Sequence, residues 1–449
     1  MSDALDFRIE WLDAPGVTTP ELACTWARQE IWVGGRCVSQ VEAPDGTLRR
    51  SVYGSVYPLA EWIAANWWIL IGHIRPSAVE TRYWTWPNVR AYPWLASHNF
   101  RGAGDGMAWP NLTLVVEGAV SQICWAPDLE YARRPIRFAS EGVAALATRD
   151  VIEGLASIVD RVLERLSEEG LPKTKLAEEW EAIARTSPDE REFCLTAAKL
   201  GLDPYSVPDD VAADIISVAS ELPPELVSDF FDSADPAALS VAARWIKRAV
   251  VSAEKTAVKA RESLRSLHGA ISTETDPGRA AVDNGDERPW ITGYSMAKSV
   301  RHQLGIGEMD LFDTSPWVGL GESNAPSNGI QGVAVVSSDR VGLILGLPRT
   351  GVSVNRFGQA RALGRVLLRP GQTQFVLSPV RGNDEKVARA FAAEILAPAA
   401  GIQRYLTTLG KTDDSAIEAV ASRYRVLPLL VRHQYDNQIA GPVDRLWML

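Results

Sequence analysis

The chain has 449 residues, of which 46% are apolar and 23% are charged, and its formal net charge is −10. These are ordinary values for a globular protein, and the length is enough for about two to four domains with substantial cores. No run of about 18 apolar residues exists, so the sequence predicts no membrane-spanning helix. The nearest candidate, Leu59–Ile74, is short and carries Glu61, and we interpret it as a buried helix.

The N-terminus and the cysteines favour a cytoplasmic protein without a membrane partner. The first six residues have neither a basic start nor an apolar stretch, so we expect no signal peptide. The four cysteines are scattered, and no two of them form a CxxC pair. This spacing argues against a structural zinc site and against a disulfide framework.

Charge is distributed unevenly along the chain. From Arg340 to the end there are 15 Lys and Arg residues against 8 Asp and Glu residues, whereas the preceding part has 31 against 48. One interpretation is that the two parts are simply solvated differently. The other is a basic groove in the C-terminal part that binds an acidic partner or a nucleic acid.

Residues 1–135 are predicted to form an aromatic-rich α+β domain with a small sheet. Eleven of the 16 tryptophans lie between Trp11 and Trp125, and a helix is predicted over Leu59–Ile71. The tryptophans could line a binding cage, but we expect them in the core, because each ring buries a large apolar area. Strands are predicted over Ala23–Trp32, Arg49–Tyr57 and Leu112–Val116.

Residues 136–268 are predicted to be a helical module that packs or contacts a partner. Glu141–Glu169 carries apolar residues three and four positions apart, which is typical of an amphipathic helix. Proline and acidic residues mark the first turns of several later helices. Residues 269–289 are rich in Gly, Thr, Asp, Asn and Glu, so we interpret them as a linker.

Residues 290–449 are predicted to form several helices and a β-hairpin in close succession. A hairpin is predicted around residues 338–340, between the strands Gln331–Ser337 and Val341–Leu345. An amphipathic helix is predicted over Val354–Leu368. The other predicted helices are Tyr294–Leu304, Glu385–Leu396, Ser415–Arg423 and Leu429–Asn437.

Several motifs in this region resemble the ImmA/IrrE metallopeptidase family. They are Asp310-Leu311-Phe312, then Arg356-Phe357 before the central helix, and then the segment ARAFAAEILAP over Ala388–Pro398. The tail Ile417–Gln438 is similar to the helical pair that often ends these proteins. The resemblance covers about residues 290–440 and implies a zincin-like α+β domain.

The resemblance also shows what this chain lacks. In that family the central helix carries H-E-x-x-H, whose histidines bind zinc and whose glutamate is the general base. The aligned residues here are Arg361, Ala362 and Arg365. Arginine has no lone pair to give to a metal, and alanine cannot act as a base. We therefore predict no catalytic residue, no metal and no cofactor, although Glu385 matches the acidic start of the later motif.

A basic stripe remains on the central helix. Arg361, Arg365 and Arg369 follow one another at four-residue intervals, so they share a face of the helix. Glu385 or Glu394 from the later helix would pair with them. Two interpretations stay open: an internal ion pair that joins two helices in place of the metal, or a site for an anion or an acidic peptide.

The terminal helical pair suggests a second kind of site. Its helices are joined by the turn Tyr424–Pro428, and the second helix carries Arg432, Gln434 and Asn437. These side chains are of the types that contact bases in a major groove. A DNA-binding regulator is therefore one alternative function.

A metal-dependent endopeptidase that cleaves a repressor-type regulator is another alternative. Its metal site would be assembled from His302, His433 and Glu385, since no two of the five histidines lie four residues apart. The favoured hypothesis is a catalytically inactive ImmA/IrrE-like protein that binds a protein partner as a regulatory or sensor component. The habits of the family point to stress response, mobile-element control or phage defence.

Overall fold

The computed structural model describes residues 4–14, 16–43, 45–73, 92–104, 106–128, 136–268, 289–321, 329–346, 351–379 and 382–440. Their fold is α+β, as predicted. The chain divides into two compact units, Met1–Val207 and Pro208–Arg445. This division falls inside the predicted helical module and differs from the predicted boundaries at residues 135 and 268. Residues 269–288 of the predicted linker lie outside the described residues.

In the described part of the N-terminal unit, the strands form three small antiparallel sheets. The first contains β1 (Leu5–Trp11), β2 (Trp26–Val33), β3 (Arg36–Cys37) and β6 (Val52–Ser55). The second contains β4 (Val41–Glu42), β5 (Leu48–Arg49) and β9 (Arg137–Phe138). The third contains β7 (Asn111–Glu117), β8 (Val120–Ala126) and β10 (Gly142–Ala147).

Several predicted elements of this unit differ from the structure, among them the strand predicted over Arg49–Tyr57, which is β6 (Val52–Ser55) between the end of β5 and the start of a helix at Tyr57. The strand predicted from Ala23 begins at Trp26, because the short helix α1 (Pro20–Cys24) precedes it with proline in its first turn. The helix predicted over Leu59–Ile71 is two helices, α2 (Tyr57–Ala65) and α3 (Trp67–Gly72). Asn66 separates them, and its side-chain amide donates to the Trp62 carbonyl at 2.9 Å.

Tryptophan side chains form a large part of the core of this unit, as predicted. The buried members of the main apolar cluster include Trp62, Trp67, Trp68, Trp109 and Trp125. Their burial removes large apolar areas from water, which is the main favourable term in folding. Trp84 and Trp86 lie outside the described residues.

Three helices of the predicted helical module belong to this unit: α5 (Thr148–Glu168), α6 (Lys175–Arg185) and α7 (Pro188–Lys199). The short helix α4 (Pro93–His98) precedes them in the chain. The helix predicted from Glu141 begins only at Thr148, because Gly142–Ala147 pairs with β8 as β10. Hydrogen bonding to β8 therefore outweighs the helix propensity of the alanines in that segment.

The C-terminal unit contains a four-stranded mixed sheet in the order β11-β13-β12-β14. β11 (Val318–Gly321) runs parallel to β13 (Arg340–Leu345). β12 (Gly332–Ser337) is antiparallel to β13 and to β14 (Gln374–Leu377). The predicted hairpin is confirmed, and Ser338 and Asp339 in its turn have the positive φ that tight hairpins require.

Helices surround this sheet, and each helix predicted for the C-terminal region is found. The largest error is the start of the helix predicted over Tyr294–Leu304, which begins at Pro289 in the structure. No helix of the described ranges combines the length and the apolar composition needed to cross a bilayer. The helices are α8 (Asp209–Glu221), α9 (Pro224–Phe231), α10 (Leu239–Ala257), α11 (Arg265–His268), α12 (Pro289–Gln303), α13 (Val352–Leu368), α14 (Asn383–Leu396), α15 (Ala399–Leu409), α16 (Asp414–Tyr424) and α17 (Pro428–Gln434), which is followed by the π-helical turn Tyr435–Ile439.

α10 packs directly on one face of the sheet through glycines in the strands. A Cβ on Gly342 would lie 1.8 Å from the Ala253 carbonyl oxygen, and one on Gly319 would lie 2.2 Å from that of Thr256. Only residues without a side chain allow backbones to approach this closely. This contact explains why the last long helix of the predicted helical module belongs to the C-terminal unit.

α13 packs against the same sheet and shares an apolar cluster with strand residues that alternate with those facing α10. From Gly358 to Leu368 every residue is buried, so the prediction of an amphipathic helix is wrong. α14 covers α13, and a Cβ on Gly364 would lie 2.7 Å from the ring of Phe391. α13 is therefore the central helix of the unit, enclosed by the sheet and α14.

Candidate functional site

The predicted basic stripe lies largely inside the C-terminal unit. Arg361 and Arg365 are only 5% and 7% exposed, one turn apart on α13. Arg369 follows at the end of the helix and is half exposed. A buried guanidinium is costly unless carboxylates and carbonyls bind it, so the partners of these arginines define the site.

Arg361 forms a buried ion pair with Glu385 of α14, with 2.5 Å between Nη2 and Oε2. The same Nη2 donates to the Ser378 carbonyl at 2.8 Å, and Nη1 donates to the Gln331 side chain at 2.5 Å. The second oxygen of Glu385 accepts from the Ser378 amide at 3.3 Å. This pair joins α13 and α14 to residues at the ends of two strands, in the geometry that the first interpretation predicts.

Arg365 binds two carboxylates that the sequence did not point to. Its Nη2 lies 3.2 Å from Asp229 of α9, and its Nη1 lies 3.2 Å from Asp384 of α14. Arg369 donates twice to Asp384, at 3.0 and 3.1 Å. Asp384 therefore bridges Arg365 and Arg369, and the arginine side chains connect three helices.

Burial raises the pKa of Asp229 to about 6, from an ordinary value of 3.8. Arg365 and the hydrogen bond from the Val376 amide oppose this shift, while the nearby charges of Asp232 and Glu385 add to it. The charged form of Asp229 thus remains costly despite its partner, because desolvation outweighs the ion pair.

Asp229 also protects the edge of the sheet together with Glu225. β14 is an edge strand, and such strands leave amides unpaired. Glu225 accepts from the Gln374 amide at 3.0 Å, and Asp229 accepts from the Val376 amide at 3.3 Å. The spacings match, since four helical residues rise about 6 Å and two strand residues about 7 Å.

Glu394 does not join the basic stripe. It is 1% exposed, and its Oε2 accepts from the side-chain amides of Gln434 at 2.8 Å and Gln438 at 2.9 Å. The same oxygen accepts from the backbone amide of Ala399 at 3.3 Å. Of the two predicted partners of the arginines, Glu385 fills that role, while Glu394 attaches α14 to the C-terminal helices.

The residues predicted to contact DNA are engaged inside the protein or in surface ion pairs. Gln434 is 1% exposed and donates to Glu394, so its prediction as a base-reading side chain is wrong. Asn437 forms a hydrogen bond with Tyr294, whose pKa burial raises to about 12. Arg432 forms an ion pair with Asp414. The side-chain amides of Gln434 and Gln438 therefore face inward, where they donate to Glu394.

Two further arginines, Arg301 and Arg356, attach loops to helices. Arg356 donates to the carbonyls of Phe312 at 2.8 Å and Tyr424 at 2.7 Å. Arg301 donates to the carbonyl of Ile395 at 2.7 Å. Burial lowers the pKa of both guanidiniums. Arg356 was visible in the sequence as part of a motif, whereas the only signal for Arg301 was its place on the apolar face of α12.

The residues at this site do not fit a zinc ion. The carboxylates of Glu385, Asp229 and Asp384 are bound by guanidiniums, and arginine offers a metal no lone pair. Within the described ranges, no group of three or more His, Cys, Asp or Glu side chains is arranged to hold a metal ion. The set His302, His433 and Glu385 is therefore not a metal site in this structure.

Comparison with known proteins adds no relative to these observations. No protein-family model matches the chain, and no curated protein matches it. What this site can do chemically is hold α9, α13 and α14 together through paired charges.

Proposed function

We propose that the protein is a non-catalytic, ImmA/IrrE-like regulatory protein that acts in the cytoplasm by binding a protein partner. The observation that carries the proposal is the buried pairing of Arg361 and Arg365 with carboxylates on α9 and α14. These arginines stand where the family has its zinc-binding histidines. Ion pairs take the place of the metal in joining the helices.

The residues at these positions are not of the types that catalyse peptide hydrolysis. A zinc peptidase needs neutral imidazoles as ligands and a carboxylate that removes a proton from bound water. Arg361 and Arg365 offer a metal no lone pair, and Ala362 is a buried methyl group. A partner-binding role needs none of these groups, so it agrees better with the residues present.

The order of elements also supports the proposal. A helix, the Asp310–Phe312 loop, a hairpin, a central helix and the helix of the ARAFAAEILAP segment follow one another as the resemblance implies. Arg356 attaches that loop to α13 by donating to the Phe312 carbonyl. Two of the motif segments on which the resemblance rests are thus in direct contact.

The test is the metal content of the full chain, purified without chelator and measured by mass spectrometry. We expect less than about a tenth of an equivalent of zinc, iron or manganese, since structural and catalytic sites bind about one. Glu385→Ala removes the carboxylate that matches the family's later motif, and Glu418→Ala removes an exposed glutamate on α16 as its control. About one equivalent of metal, lost only in Glu385→Ala, would overturn the proposal in favour of a metallopeptidase.

A further inference from the structure

The outward face of α10 carries an ordered stripe of side chains. Its members lie three and four residues apart, so they form one line along the helix. The opposite face of α10 packs on the glycines of the sheet. We call these side chains the α10 stripe: Val241, Arg244, Arg248, Val251, Lys255 and Val258.

The valines of the α10 stripe are exposed. Val241 is 43% exposed, Val251 is 50% exposed and Val258 is 73% exposed. Single exposed valines are ordinary on a protein surface, but these three lie on one line with three cations.

The cations of the stripe make no ion pair with the part of the chain that the structure describes. Among the described residues, Arg244, Arg248, Lys255 and the adjacent Lys259 make no ion pair. The neighbouring Lys247, by contrast, binds Glu221 of α8 at 2.5 Å. The hydrogen bond from Lys247 is the main cause that lowers the pKa of Glu221, and the charge of Arg244 adds to it without forming an ion pair.

This arrangement costs stability within the chain. Arg244 and Arg248 are four residues apart on α10, and like charges at this spacing repel each other on a helix. The chain as a whole has a net charge of −10, so acidic residues are in excess elsewhere. A row of exposed cations that pairs with no carboxylate of the described residues points to an anionic partner.

The valines distinguish between kinds of anionic partner. Phosphates of a nucleic acid would pair with the cations but would gain little from apolar side chains. Helices that lie in a membrane surface use large residues such as Trp, Phe and Leu, which the stripe lacks. A helix with alternating acidic and apolar residues would use both features, as in helix-in-groove recognition.

We propose that the α10 stripe docks an amphipathic helix of a partner protein, with carboxylates opposite its cations and apolar side chains against its valines. The stripe is on α10, whereas the buried arginines are on α13. Peptide binding and metal content can therefore fail independently, so this inference is separable from the proposed function.

The probe is a fluorescent four-heptad peptide with Leu at positions a and d and Glu at positions e and g, titrated against the full chain at low salt. Reversing two cations with Arg248→Glu/Lys255→Glu should weaken binding at least about tenfold, as close charge pairs at interfaces do. Val251→Asn should weaken it severalfold. The control is Lys173→Glu/Lys175→Glu, which reverses two exposed lysines of the N-terminal unit and should leave binding unchanged.

Three results would overturn the proposal. The first is no binding of the acidic peptide at low salt up to about millimolar concentration, the weakest end of specific affinities. The second is equal binding of a peptide with Gln in place of Glu. The third is tighter binding of duplex DNA than of the peptide, lost in Arg248→Glu/Lys255→Glu, which would make the stripe a nucleic-acid site.

Discussion

Arg365 on α13 binds Asp229 on α9, although the two residues are 136 positions apart in the sequence. The guanidinium lies 3.2 and 3.4 Å from the two carboxylate oxygens, and Asp384 binds its other amino group. Asp229 also accepts from the edge strand β14. This contact therefore connects α9, near the start of the C-terminal unit, to the central helix of the same unit.

Glu385→Gln should destabilise the C-terminal unit by about 3 kcal/mol, because it leaves the buried Arg361 without its counter-charge. Chemical denaturation of the full chain measures this change. Glu418→Gln, on the exposed side of α16, is the matched control and should change stability by less than about 0.5 kcal/mol. Equal effects of the two substitutions would show that the ion pair contributes nothing specific.

Arg365→Glu should prevent the C-terminal unit from folding stably, because it places a third carboxylate beside Asp229 and Asp384. Arg365→Lys keeps the charge but loses the fork that binds two carboxylates, so it should cost less. Melting curves of both variants test the order. A stable Arg365→Glu variant that keeps the wild-type melting temperature would contradict the assignment of Arg365 as the link between α9, α13 and α14.

The stability of the C-terminal unit should depend on pH through the titration of Asp229. Its pKa is higher in the folded protein than in the unfolded chain, so the folded state binds the proton more tightly. Its contribution is fully present below about pH 4 and is lost as the pH rises through about 6. Asp229→Asn should flatten this part of the profile for the C-terminal unit, and an unchanged slope in the variant would argue against the shift.

His73 and His98 should give the opposite slope in the N-terminal unit. Their rings lie 5.3 Å apart, and burial lowers the pKa of His73 to about 4 and that of His98 to about 3. Stability should therefore fall as the pH drops below about 6.5, the ordinary value, towards 4. His98→Phe should reduce this loss, whereas His302→Phe, at an exposed position of α12, should not.

Gly342→Ala should strongly destabilise the contact between α10 and the sheet. The added methyl group would lie 1.8 Å from the Ala253 carbonyl oxygen, so the helix would have to move away. We expect a loss of about 2 kcal/mol or more in the free energy of unfolding. Gly371→Ala is the control, since a Cβ there has no neighbour within 4 Å and should cost little.

Local sequence patterns predicted many helices and strands, but they did not predict all the contacts between them. The hairpin around Ser338 and Asp339 was predicted because turn residues and alternation are encoded within a few positions. The pairing of Arg361 with Glu385 could be predicted, because both residues lie in segments that the resemblance is expected to bring together. Asp229 could not be predicted as a partner of Arg365, because nothing in the local sequence of α9 indicates which strand edge it covers.

The sequence by itself predicted many of the helices and strands, and it predicted that Arg361 and Arg365 lie one turn apart on one face of a helix. Only the tertiary structure decided which carboxylates neutralise the arginines and that Gln434 faces Glu394 instead of solvent. The physical reason is the sequence distance over which each interaction acts. Helix and strand periodicity depend on neighbours a few residues away, whereas the pairing of buried charges depends on groups that only the complete fold brings together.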